Sequence, residues 1–194
     1  GIKNEKDIKL HTPVPTSGGV LVHCWRGGMR SAGVAWLLDL YGFKVYTLAG
    51  GYKAYRKWVL AQFEKEYNFH IIGGFTGSGK TDVLRALPQD KQIVVDLEKL
   101  AVHKGSAFGA IEGQAQPKQE MFENCLAQEL HDAASRIPYP ECCIWLEDES
   151  QRIGNLQIPM PLWHTMRRSP VFFLDIPFEE RLGYITEEYG KLPT

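Results

Sequence analysis

Two short stretches of this chain combine residue types whose spacing can do chemistry. Gly74-Phe75-Thr76-Gly77-Ser78-Gly79-Lys80-Thr81 fits G-x-x-x-x-G-K-[ST] at every fixed position. An apolar run (69–73) precedes it, and a helical segment (82–87) follows and stops at Pro88. In that strand–loop–helix setting the backbone N–H groups of Gly74, Thr76, Gly77, Ser78 and Gly79 can curl around phosphate oxygens, and the helix start adds partial positive charge. Lys80 would reach the terminal phosphates, and Thr81 would hold a Mg²⁺ shared with the ligand. The second stretch is Cys24-Trp25-Arg26-Gly27-Gly28-Met29-Arg30-Ser31. Five residues separate Cys24 from Arg30. A loop of that size can aim its N–H groups at one point, with the sulfur at its base and Arg30 at its rim. Those donors and a following helix N-terminus would stabilise a thiolate and make it nucleophilic at neutral pH. The competing reading is a buried structural cysteine. Two glycines and two arginines beside Cys24 argue for the nucleophile.

Each loop needs a strand before it and a helix after it. Residues 19–23 read as a buried strand, and 31–41 have helical spacing in Val34, Leu37, Leu38 and Tyr41, with Gly42 as the residue that ends the helix. Residues 43–48 read as a strand and 52–67 as an amphipathic helix with Tyr55, Val59 and Phe63 on one side. After the phosphate-binding loop, strands are expected at 92–97, 142–150 and 171–175. Helices are expected from Pro117 to about residue 135 and over 177–189, with a short one near 4–10. Within 97–113, His103 to Gly109 looks too glycine-rich for regular structure and is either a mobile loop reaching the ligand or an inert surface loop. Pro159-Met160-Pro161 marks another loop. Alternating strands and helices imply a parallel sheet covered on both faces. The expected class is α/β, divided near residue 67 into segments 1–66 and 67–194.

The acidic run Glu147-Asp148-Glu149 closes an apolar strand, where such a fold holds Mg²⁺ or its water. Glu147 and Asp148 are the candidates, and Asp96 competes at the end of a similar strand. Arg167-Arg168 is the clearest basic pair and a candidate for phosphate contacts, although such pairs are more often simply solvated. A formal net charge of -1 does not advertise nucleic-acid binding, so any such contact must rest on a local patch. No apolar run approaches the ~20 residues of a membrane span, and no secretory signal opens the chain. Cys24, Cys125, Cys142 and Cys143 lack C-x-x-C spacing, which points away from zinc and disulfides and towards a reducing cytoplasm. Cys125 is expected in the core.

His23-Cys24-x-x-Gly27-x-x-Arg30-Ser31 satisfies the cysteine-dependent phosphatase signature and equally resembles the active-site loop of rhodanese-like sulfurtransferases. Ala49-Gly50-Gly51-Tyr52-Lys53-Ala54-Tyr55, after a strand and before a helix, looks like the end of a rhodanese domain. These motifs, the phosphate loop, residues 103–109 and Glu147-Asp148-Glu149-Ser150-x-x-Ile153-Gly154, taken in order, resemble the bacterial tRNA 2-selenouridine synthase family. The resemblance implies a partial rhodanese-like domain joined to a P-loop NTPase-like domain, with the front of the first and the end of the second lying outside these residues. It implies an enzyme that geranylates the wobble 2-thiouridine of tRNA from geranyl diphosphate and then replaces the geranylated sulfur with selenium from selenophosphate. Cys24 would serve selenium transfer, with Arg26 and Arg30 holding the anionic donor. The P-loop would grip a diphosphate that need not belong to ATP or GTP. The alternative is a cysteine-dependent phosphatase or sulfurtransferase fused to a nucleotide-binding regulatory module. A phosphatase needs an aspartate general acid, and Asp7 is the only aspartate before Cys24.

Overall fold

The computed structural model describes residues 19–87, 92–103, 114–137 and 142–189. The short helix expected near 4–10, Asp7, Pro88 and residues 104–109 lie outside that set. The chain forms two compact units, Gly1–Val59 and Leu60–Thr194.

In the first unit, β1 (Val20–Val22) and β2 (Val45–Thr47) pair in parallel, with Leu21 opposite Tyr46. Parallel neighbours need a crossover, and α1 (Met29–Leu40) supplies it. The helix ends as expected at Gly42, whose φ of 82° lets its N–H reach Asp39 O while Phe43 N–H reaches Leu38 O. The buried face of α1 is Ser31 and Ala35 rather than the expected stripe. Val34, Leu37 and Tyr41 are about half exposed. Small side chains let the helix approach its two short strands closely, and the bulkier residues point away. Helix α2 (Gly51–Phe63) spans the division between the units and buries Val59 and Phe63.

The second unit is built on a parallel four-stranded sheet, ordered β4 (Ile93–Val94), β5 (Ile144–Glu147), β3 (Phe69–Gly74), β8 (Val171–Leu174). Phe69, Ile71 and Ile72 of the inner strand β3 are buried, as its unbroken apolar run requires. Around the sheet lie α3 (Lys80–Ala86), α4 (Leu97–Ala101), α5 (Gln119–Arg136), α6 (Met160–Arg168) and α7 (Phe178–Tyr189). Leu84, Leu97, Phe122, Leu126, Leu130, Leu146, Leu162 and Met166 form the core. A small antiparallel hairpin, β6 (Arg152–Ile153) and β7 (Leu156–Gln157), was not legible in the sequence.

Two expectations differ from this fold. The strand expected over 92–97 stops at Val94 and residues 97–101 are helical, because the Asp96 side chain accepts the Lys99 N–H at 2.8 Å and caps α4. Pro161 does not mark a loop. It sits in the first turn of α6, where a missing N–H costs nothing. The strand expected at 171–175 is present as β8, which ends the sheet and leaves Val171, Phe172 and Phe173 about half exposed.

Candidate active sites, a thiolate loop and a phosphate loop

Cys24 stands two residues past β1, on the turn that leads into α1. Its Sγ accepts the Gly28 N–H at 3.3 Å and lies 3.4 Å from Ser31 Oγ, which also donates to Gly28 O at 2.9 Å. The serine has one hydroxyl hydrogen and two acceptors in reach, so turning it to the sulfur favours the thiolate. The Ser31 hydroxyl and then the Gly28 N–H bring the thiol down to about 6, against a smaller opposing effect of burial. Arg26 and Arg30 are exposed, and among the described residues neither guanidinium has an ion-pair or hydrogen-bond partner. Both remain available to an anion.

The Gly50-Gly51-Tyr52 sequence has a clear structural reason. The start of α2 presses on the cysteine loop, with Tyr52 N–H donating to Cys24 O and Lys53 N–H to Trp25 O, both at 2.9 Å. Gly51 has φ 65°, and a Cβ there would collide with backbone atoms of Gly27 and Cys24. The rings of His23 and Trp25 lie 5.8 and 5.9 Å from that of Tyr52.

These contacts predict the thiol's reactivity. Iodoacetamide alkylation of Cys24 is expected to rise with pH through about 6 and then level off. Cys143 is buried, 3.1 Å from His70 Nδ1, and burial pushes its thiol up, so it should stay slow. Cys125 is exposed rather than in the core as expected, so it is open to the reagent. Peptide mass spectrometry across pH 5–9 separates the three. A Cys24 profile that rises only near the free-thiol value of ~8.5 would remove the activated thiolate.

The phosphate loop follows β3. Gly77 and Gly79 take φ of 79° and 76°, and Lys80 Nζ reaches back to donate to Gly74 O at 3.0 Å. The loop lysine therefore already spans the turn. Ser78 Oγ is buried without a partner. Helix α7 closes on the loop, for Arg181 donates to Thr76 O at 3.3 Å and covers the Phe75 ring at 4.8 Å. Tyr184 O–H donates to Asp82 at 2.7 Å. Nothing in the sequence of the helix expected over 177–189 marks Arg181 for this contact.

Of the three candidate carboxylates, the fold brings one to the loop. Ile72 pairs with Glu147 across β3 and β5, and Glu147 is 2% exposed with Oε1 unpartnered. Asp148 points elsewhere and pairs with Arg167, while Asp96 is spent on the α4 cap. Of the expected basic pair, Arg167 is tied to Asp148, while exposed Arg168 donates Nε–H to His164 O.

Two further acids join Glu147. Glu98 and Glu149 each bring an oxygen within 4.8 Å of the others. The Thr81 hydroxyl donates to Glu98 at 3.4 Å. Burial, and then the charges of Glu147, Glu149 and Asp96, push Glu98 up to about 8, with Lys80 opposing. Burial and then Glu147 push Glu149 up to about 7. Burial also raises Glu147, with the Thr81 hydroxyl and Lys80 opposing. Sequence reasoning missed Glu98; its position two residues after Asp96 was the available signal.

A family model described as the tRNA 2-selenouridine synthase AAA domain matches residues 67–192. The chain belongs to that family. Proteins called tRNA 2-selenouridine synthase from Cupriavidus pinatubonensis, Aeromonas salmonicida and Pseudomonas putida are 41%, 38% and 38% identical to it over 172 residues each. Those matches cover 87% of this chain and 45%, 44% and 45% of the three relatives. The chain thus spans about half the length of the curated synthases it matches. Matches of 172 residues are longer than the span 67–192, so the likeness to the synthases reaches back before residue 67.

Proposed function

We propose that this chain belongs to an enzyme that replaces sulfur with selenium at the wobble 2-thiouridine of tRNA, through a geranylated intermediate. Residues 1–66 are then the end of a rhodanese-like domain and 67–194 a P-loop domain. The observation that carries this reading is the presence, in a member of this family, of a hydrogen-bonded thiolate loop and a separate lysine-spanned phosphate loop. Two steps with different anionic donors call for two such sites.

In the first step the 2-thiouridine sulfur attacks C1 of geranyl diphosphate. The C–O bond breaks, diphosphate leaves with the electron pair, and the base loses its N3 proton. Lys80 and the N–H groups of residues 74–81 receive the charge that develops on the diphosphate. The loop's ligand is then geranyl diphosphate rather than ATP or GTP. Thr81 and Glu147 are the residues to hold Mg²⁺, and the unpartnered buried oxygen of Glu147 fits a cation ligand. When bound, the ion would neutralise diphosphate oxygens. In the second step selenium from selenophosphate bonds to C2 as the C2–S bond breaks and the geranyl thiolate leaves. Water then releases the phosphate. Cys24 is the thiolate that serves this step, and Arg26 and Arg30 hold the dianionic donor.

The enzyme would work in the cytoplasm on tRNA and two small anionic donors. No helix among the described residues is long and apolar enough to cross a membrane. The family assignment leaves the alternative of a phosphatase with a regulatory module without support. Mass spectrometry of tRNA nucleosides from cells with and without the gene tests the proposal. Loss of 2-selenouridine on deletion is expected; unchanged nucleosides would overturn it.

A further inference from the structure

We infer that Glu98, Glu147 and Glu149 form a site for a hard divalent cation that fills in the absence of any diphosphate. The three come from separate places: the first turn of α4, the last residue of β5, and the segment just beyond it. One oxygen of each lies within 4.8 Å of the others. Three oxygens no more than 4.8 Å apart all lie within about 2.8 Å of a common centre, against bonds of ~2.1 Å to Mg²⁺ or ~2.4 Å to Ca²⁺, so a closure of less than about 1 Å completes the site.

Two observations beyond the number of acids point to a ligand. Glu147 is 2% exposed, and its Oε1 has no hydrogen-bond partner. Buried polar atoms are nearly always paired, so an acidic oxygen left open calls for a partner outside the chain. The second is charge. Lys80 acts on all three carboxylates, Arg85 on Glu147 alone, while Asp96 and Asp148 only add negative charge. Three acidic side chains thus meet one ammonium common to them, an excess of acid that a divalent ion offsets. Oxygen-only donors favour Mg²⁺, Mn²⁺ or Ca²⁺ over zinc.

A Mg²⁺ held by one hydroxyl and one carboxylate normally needs substrate phosphate to complete its grip. Three carboxylates retain the ion alone. The Thr81 hydroxyl, donating to Glu98 at 3.4 Å, places that ion beside the phosphate loop. The inference rests on the diphosphate reading of residues 74–81 only for what the ion then does.

The test titrates the intact protein with Mn²⁺ alone and follows free Mn²⁺ by electron paramagnetic resonance. One saturable site per chain is expected, emptied by excess Mg²⁺. Glu98→Gln and Glu147→Gln should each weaken it at least tenfold, and Glu149→Gln severalfold. Asp148→Asn, whose native carboxylate pairs with Arg167, should stay within twofold. Circular dichroism melts identify any variant that does not fold. Glu98 and Glu149 lie nearer the surface than Glu147, so their variants decide the matter if Glu147→Gln does not fold. No saturable site, or Glu98→Gln binding as the native chain does, overturns the inference. Nucleoside analysis is independent of this titration, so failure of one is distinguishable from failure of the other.

Discussion

Lys80→Ala in the full-length protein is expected to slow geranylation of 2-thiouridine-tRNA by about 10²- to 10³-fold, the usual loss for one preorganised electrostatic contact. Nζ lies 3.0 Å from Gly74 O, inside the turn and next to where the leaving diphosphate would sit. The ammonium is in place before the charge develops, so little reorganisation is needed as the C–O bond breaks. Selenium exchange on tRNA geranylated beforehand needs no diphosphate departure and should run near the native rate. Single-turnover assays read by nucleoside mass spectrometry separate the steps. An equal loss in both would show that the phosphate loop is not confined to alkylation.

Cys24→Ala should produce the opposite pattern. Geranylation continues, selenium incorporation stops, and geranylated tRNA accumulates. The physical ground is local: the sulfur, the Gly28 N–H and the Ser31 hydroxyl form one closed hydrogen-bonded group within eight consecutive residues, far in sequence from Lys80. In the native protein the selenium step should gain rate as pH rises through about 6, because the thiolate is the reactive form. Ser31→Ala removes the largest stabiliser of that thiolate, so its profile should move to higher pH. If Cys24→Ala also stops geranylation while the protein remains folded, the division between two sites is wrong.

Both loops were legible because each is written in consecutive residues. Gly74 to Thr81 and Cys24 to Ser31 place glycines, cations and the nucleophile by local backbone geometry, and an apolar strand before each loop with a helix after it could be read from periodicity. The halt of α1 at Gly42 was legible for the same reason. What the chain does across distance was not. Sequence alone could not choose among Asp96, Glu147 and Asp148. That choice depends on β5 lying beside β3 and on the alternation that sends neighbouring side chains to opposite faces. Glu98 joins Glu147 and Glu149 only because the α4 cap and the sheet order bring it there. Cys125 looked like core on α5, yet it is exposed and Phe122, Leu126 and Leu130 are the residues turned inward. Two apolar stripes ran along that helix, and only packing against the sheet could select one. Gly51 read as part of a motif; its cause, the approach of α2 to the Cys24 carbonyl, belongs to the fold. Backbone chemistry between near neighbours is encoded locally, whereas which side chains converge depends on strand order and helix rotation, set by burial over the whole unit.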